Sequence, residues 1–280
     1  MRFERPALYS LVSGVLVFIF VLPLGAVFEQ AFSGGWFSFV QAVTSPIALR
    51  AFELTVGLAL LTAILNTAMG LLTAVVLERR RPPFSIALDA VIDLPLSIPT
   101  AVSGLMLVLL YGPASPVGRW LSQHGVTVVY TRLGILFALL FVTVPYAVRT
   151  MQPAIQALDI RQEEAAWILG ASGKRVWLRV ILPVLRHALG SAFLLTFTRA
   201  MIEFGSVVMV SGNKPMHTEM AAVYIYGLLE NYDQRGASAA SVVLMMFCAI
   251  AFVIEARILA LLGRARAVAC TKAEGETRYV

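Results

Sequence analysis

The chain has 280 residues, of which 59% are hydrophobic and only 14% are charged, whereas an ordinary soluble domain carries about 25% charged residues. This composition excludes a typical soluble protein and predicts a membrane protein. The formal net charge of +6 is a modest excess that does not indicate a nucleic-acid partner.

Six apolar runs predict membrane spans, because a helix needs about 20 apolar residues to cross a bilayer. The first run exceeds the core of a signal peptide, about 7–15 residues, and no small-x-small cleavage site follows it, which favours a retained anchor. We therefore predict an all-α membrane protein with six transmembrane helices in a single domain, residues 1–280. The runs are 6–28, 54–77, 94–111, 133–148, 188–210 and 236–254.

Two prolines, Pro95 and Pro99, stand at the start of the third run. Proline frees backbone carbonyls and kinks a helix, which is tolerated in a membrane where the kink faces protein or a cavity. Both prolines are therefore candidates for a translocation path or gate.

The distribution of positive charge predicts the orientation, because Lys and Arg resist transfer across the membrane. With both termini in the cytoplasm, sixteen Lys and Arg lie on the inner side and five on the outer side, while Arg199 lies within the fifth run. The polar tail, residues 264–280, and the segment between the fourth and fifth runs are then cytoplasmic.

That cytoplasmic segment contains a predicted loop, residues 159–183, which begins with a short helix. Asp159 is a plausible N-cap, and Glu163 and Glu164 fall in the first turns, where the helix dipole favours negative charge. The small side chains of Ala165 and Ala166 let another surface approach closely. Gly170 fits the end of this helix.

A second helix is predicted from about Lys174 until Pro183 breaks it. Its apolar residues recur at spacings of one, three and four, which predicts a stripe that lies against the bundle. The stripe consists of Val176, Trp177, Val180 and Ile181.

The loop resembles the cytoplasmic loop of bacterial ATP-binding-cassette importer permeases. That family has the pattern Glu-Ala-Ala-x3-Gly-x9-Ile-x-Leu-Pro, and this chain matches it from Glu164 to Pro183 with Val180 in place of Ile. The resemblance implies that the first helix fits a groove on an ATPase subunit and transmits its closure to the spans. The implied ATPase contacts are Glu164, Ala165, Ala166, Trp167 and Gly170.

Residues 39–262 also resemble the permeases of sulfate and thiosulfate importers, most closely their T-type subunits. The resemblance rests on residues 93–104, 148–153, 198–205 and 210–213. Molybdate permeases share the Glu-Phe-Gly and Gly-Asn elements, so a molybdate or tungstate importer is the alternative.

Arg199 and Glu203 place a charge pair four residues apart in the fifth run. Charges within a membrane are rare and usually face the bundle interior with a partner. In one interpretation Arg199 lines the path and attracts a dianion, while Glu203 prevents Arg199 from trapping it. In the other, which we favour, the pair fixes helix packing or gates the path.

The resemblance implies a type I importer permease that works by alternating access in the bacterial inner membrane. Its implied partners are two ATP-binding subunits, a second, related permease subunit in a heterodimer, and an external sulfate-binding protein. No Gly-x-x-x-x-Gly-Lys-Ser/Thr motif occurs, so ATP is used by the partner and this chain is not an enzyme. An ATP-independent secondary transporter is the alternative from another class.

Catalytic, metal and cofactor sites are not predicted. Cys248 and Cys270 form neither a disulfide framework nor a metal-binding spacing. The three histidines, His124, His187 and His217, are scattered along the chain.

Overall fold

The computed structural model describes residues 5–80 and 82–276, and all regular structure within them is helical. This confirms the predicted all-α class. Short π-helical turns at Val17–Val21, Val76–Arg80 and Trp177–Ile181 join or extend some of the helices. The helices are α1 Arg5–Leu16, α2 Leu22–Phe32, α3 Gly35–Val43, α4 Pro46–Val75, α5 Ser85–Ser97, α6 Thr100–Tyr111, α7 Pro116–Gln123, α8 Arg132–Gln156, α9 Ile160–Ile168, α10 Gly173–Val176, α11 Leu182–Met201, α12 Gly205–Val210, α13 Ala221–Glu230 and α14 Gln234–Glu276.

Five helical segments in the described residues are long and apolar enough to cross a membrane, and a bent pair of helices brings the number to six if the pair is one span. The prediction of six spans therefore agrees with the structure only if that pair is counted. The five segments are Tyr9–Phe32, Pro46–Arg80, Arg132–Gln156, Gly173–Met201 and Gln234–Ile254.

The third predicted span, 94–111, is not a single helix. It is replaced by α5 and α6, which meet at an angle of 111°. The break lies at Ile98 and Pro99, and Ile98 has an extended backbone, with φ −100° and ψ 134°. A residue before proline is sterically pushed out of the helical region, which explains why the chain turns here. Pro95, in contrast, lies inside α5 without ending it.

The predicted end of the fifth span at residue 210 is also wrong. Helix α11 ends at Met201, the chain leaves the helical path, and α12 begins at Gly205. Glu203 therefore lies in the connection between two helices, where its side chain accepts a hydrogen bond from the backbone N–H of Ser206. This local bond gives the first turn of α12 an acceptor that a continuous helix would not need.

The sequence pattern predicted that Pro183 would break the second loop helix. This prediction is wrong, because the helix continues through Pro183. Residues Gly173–Met201 form one helical segment, in which Pro183 follows the π-helical turn Trp177–Ile181. In that turn the N–H of Leu182 bonds to the carbonyl of Trp177, five residues earlier. The wider turn reduces the clash that a proline ring makes with the preceding turn of an ordinary α-helix.

The described residues group into two compact units. The first combines residues Met1–Thr55 with Asn213–Phe247. A small core of Ala31, Phe39, Ala239 and Val242 holds it together, and the buried hydroxyl of Thr55 accepts a 2.8 Å hydrogen bond from the N–H of Ala221.

The second unit combines Val56–Gly212 with Cys248–Val280, and it contains every residue singled out above as a candidate site residue. One core of buried residues in this unit joins α4, α8 and the helical segment Gly173–Met201. As predicted, the apolar stripe of the second loop helix packs into this core: Val176 and Ile181 are buried in it, and Trp177 and Val180 pack against it. The loop is therefore anchored on the spans.

Candidate functional site

Helix α9 begins where the sequence predicts. Asp159 has an extended backbone and its side chain accepts a 3.0 Å hydrogen bond from the N–H of Arg161. Glu163 lies in the first turn, where the positive end of the helix dipole stabilises a carboxylate. The start of the helix is thus determined by local side-chain chemistry.

The end of α9 is a Schellman motif centred on Gly170. Gly170 has φ +76°, its N–H bonds to the carbonyl of Trp167, and the N–H of Ala171 bonds to the carbonyl of Ala166. A left-handed residue of this kind is usually glycine, because a Cβ is disfavoured there. A Cβ on Gly170 would meet no other atom within 4 Å, so space for another molecule remains around this turn.

Helix α9 exposes an apolar patch at its C-terminal end. Ile168 and Leu169 are 86% and 87% exposed, and Trp167 is more than half exposed. Glu164 and Ala165 are exposed as well. A short helix that presents large apolar side chains away from its own core is typical of a protein interaction site.

Ile168 and Leu169 were not predicted as contact residues, although large apolar side chains at the end of a polar helix were a usable signal. Ala166 was predicted to contact the ATPase like its neighbours, whereas the structure places it half buried against the core beneath α9. The small side chain of Ala166 therefore brings α9 close to its own spans.

Arg199 and Glu203 do lie together, with 3.7 Å between Arg199 Nη2 and Glu203 Oε2. Glu203 is only 2% exposed, and its Oε1 accepts hydrogen bonds from the N–H and the hydroxyl of Ser206, each 3.1 Å long. The Nε of Arg199 donates to the hydroxyl of Tyr146 over 3.1 Å, and the guanidinium lies 5.7 Å from the centre of that ring. Both charges are thus held by partners on α8 and α12.

The role of Tyr146 was not predicted from the sequence, because its contact with Arg199 joins residues 53 positions apart. The favourable interaction of a guanidinium with an aromatic face adds to the hydrogen bond. Arg199 remains partly exposed, while Glu203 is buried.

The bend between α5 and α6 lies against the same region. Helices α6 and α12 pack together, and Gly205 sits so close to the first turn of α6 that a Cβ would collide with Thr100 and lie 2.9 Å from the backbone nitrogen of Ala101. Pro99 directly precedes this turn. The structure thus brings Pro99 and Glu203 into one neighbourhood through Thr100 and Gly205.

The chain matches a family model described as "Binding-protein-dependent transport system inner membrane component" over residues 66–262. It is 42% identical over 241 residues to the "Probable sulfate transport system permease protein cysT" of Prototheca wickerhamii. The aligned region covers 86% of this chain and 94% of that relative. It is 39% identical over 227 residues to the "Sulfate transport system permease protein CysT" of Escherichia coli (strain K12), covering 81% and 82% of the two chains.

A solved structure of "a bacterial ABC transporter involved in the import of the acidic polysaccharide alginate" has a similar fold. The TM-score is 0.73 at 19% sequence identity, and the match covers 92% of this chain and 95% of that one. At this identity the likeness establishes the fold of an importer permease and does not extend to the substrate.

Proposed function

This chain belongs to the family of binding-protein-dependent transport system inner membrane components, and we propose that it is the membrane-spanning permease subunit of an ATP-driven sulfate importer. The observation that supports sulfate as the substrate is the 42% identity, over 86% of the chain, to a relative named as a sulfate permease. The relatives reported above lend no support to the molybdate alternative. Thiosulfate, which has the same charge and a similar shape, is a further candidate substrate.

The exposed face of α9 supports the proposed partnership with an ATPase. In this account Glu164, Ala165, Trp167 and Gly170 contact the ATPase, together with the exposed Ile168 and Leu169. Closure of two ATPase subunits on ATP would push α9 of each permease and open the transport cavity outward, towards a loaded sulfate-binding protein. ATP hydrolysis would then return the cavity to its inward-open state. A second, related permease subunit completes the proposed heterodimer.

The bacterial inner membrane is the proposed location, with both termini in the cytoplasm. The excess of Lys and Arg on one side supports this orientation, as does a docking helix that must reach a cytoplasmic ATPase.

Cysteine labelling tests the orientation. With Cys248 and Cys270 replaced by serine, Ser172→Cys next to α9 should react with a membrane-impermeant maleimide only after the cells are opened. Ser122→Cys in α7 is the matched control, because both serines are exposed and only Ser122 lies on the proposed outer side. The reverse labelling pattern would contradict the orientation.

Transport by purified components tests the proposed dependence on ATP. Liposomes containing this permease, its permease partner and the ATPase should accumulate sulfate only with ATP, the binding protein and an ATPase whose phosphate-binding lysine is intact. Sulfate accumulation driven by an ion gradient without ATP would instead support the secondary-transporter alternative.

A further inference from the structure

Glu163 of α9 forms a two-pronged ion pair with Arg79, at the end of the π-helical turn that follows α4. Arg79 Nη1 donates to Glu163 Oε2 over 2.9 Å, and Nη2 donates to Oε1. The two side chains are only 25% and 16% exposed. A guanidinium that donates to both oxygens of a carboxylate fixes the relative orientation of the two side chains as well as their distance. A rotation of α9 would therefore move the end of α4.

The residue next to Arg79 continues the contact towards α8. Glu78 accepts a 3.0 Å hydrogen bond from Gln152 and a 2.7 Å bond from Gln156. Gln152 in turn accepts a 2.6 Å hydrogen bond from Arg149, one turn earlier on α8. Because Glu78 and Arg79 are adjacent in the chain, these contacts connect α9 to α8 through the end of the helical segment Pro46–Arg80.

Arg149 carries the contact to α5. Its Nη1 donates to Asp89 over 2.8 Å, its Nε donates to Asp93 over 2.8 Å, and Nη2 also pairs with Asp93. Asp89 and Asp93 are four residues apart and so lie on one face of α5. This helix leads within six residues of Asp93 to Pro99, where the bend presses the first turn of α6 against Gly205 and α12.

We propose that Arg79 and Arg149 are positioning residues that transmit the movement of α9 to the bent pair α5–α6, and hence to the neighbourhood of Arg199 and Glu203. This inference rests on the proposed function, since it assumes that an ATPase moves α9. An isolated exposed ion pair contributes little to stability. This series of paired, partly buried groups, in contrast, connects α9 to α5, two helices that lie far apart in the sequence. The proposed docking helix thereby acts on α5 through paired charges, in addition to its packing against the core beneath it.

Charge reversal of the first pair tests the proposal. The variants are Arg79→Glu, Glu163→Arg and the double exchange, each in the complete importer with the native cysteines replaced by serine. Arg80→Glu is the matched control, because Arg80 is the exposed neighbour of Arg79 and forms no ion pair within the described residues. Arg79→Gln provides a milder variant if the reversal prevents assembly.

The readout is independent of sulfate. Ser97→Cys, exposed and next to the bend, reports the maleimide labelling rate with and without ATP plus orthovanadate, which holds the ATPase closed. In the parent protein we expect a nucleotide-dependent change in this rate. Each single reversal should reduce that change about tenfold, the range of a typical allosteric coupling, while the ATPase still copurifies. The double exchange should restore it, and Arg80→Glu should leave it unaltered.

Full nucleotide-dependent labelling in both single variants would overturn the proposal, and so would a double exchange no better than either single change. Sulfate uptake is measured in the same preparations as a separate assay. If the parent protein responds to nucleotide but moves no sulfate, the substrate assignment fails while the relay is still judged by its labelling.

Discussion

Glu164→Arg and Gly170→Trp are each expected to abolish ATP-driven transport while the protein still inserts into the membrane. Glu164 is exposed on α9 and has no described ion-pair partner in the chain, so its reversal changes the surface presented to the ATPase and not the internal packing. Gly170 closes the helix with φ +76° and open space around it, so tryptophan would project into the space that the ATPase is proposed to occupy. If either position is a hot spot of the interface, its loss should cost about 2 kcal/mol or more, which is about 30-fold in affinity.

The matched controls separate docking from folding. Glu164→Gln keeps the shape of the side chain without reversing its charge, and Gly170→Ala introduces the backbone strain of a left-handed residue, about 1–2 kcal/mol, without the bulk. Both should retain most of the uptake. Copurification of the ATPase with each variant and uptake in intact cells are the measurements. Normal assembly and transport by Glu164→Arg and by Gly170→Trp would show that α9 is not the docking element.

The second large effect is expected from Glu203→Ala. This change removes the acceptor for two hydrogen bonds from Ser206 and leaves Arg199 without its carboxylate partner. Breaking a buried ion pair by removing one partner costs about 3–5 kcal/mol; because Arg199 is partly exposed and the pair is 3.7 Å apart, we expect about 2 kcal/mol. Thermal unfolding in detergent should report this loss, and sulfate uptake should fall at least tenfold.

Glu203→Gln distinguishes the two interpretations of the pair. The amide oxygen can still accept from Ser206, so the start of α12 is preserved while the negative charge is lost. If the pair is structural or gates the path, uptake should recover partly in Glu203→Gln and further in Arg199→Gln/Glu203→Gln. If Arg199 attracts the anion, the double variant should keep its stability but lose uptake, which would reject the interpretation favoured above.

The two ends of α9 could be predicted from sequence because their determinants are local. The N-cap of Asp159 and the left-handed Gly170 each act within a few residues, and both were found where the pattern placed them. The continuous helix through Pro183 was not predicted. A π-helical turn accommodates the proline there, and no sequence pattern indicated that turn.

The contacts that connect the loop to the spans could not be predicted in the same way. Arg149 meets Asp93 across 56 residues, and Arg79 meets Glu163 across 84. Such pairs depend on which helices pack together. Asp89 and Asp93 lie four residues apart on one helix face, but no cation opposite them was predicted. The bend at Pro99 was indicated by proline, but its 111° angle depends on the packing of α6 against α12.

Uptake of radiolabelled sulfate in cells with and without this chain tests the central claim most directly. The assay is challenged with excess thiosulfate or molybdate. We expect deletion to remove sulfate uptake, thiosulfate to compete strongly in the parent cells, and molybdate to compete little. Unchanged sulfate uptake on deletion, with molybdate accumulation lost instead, would contradict the sulfate assignment.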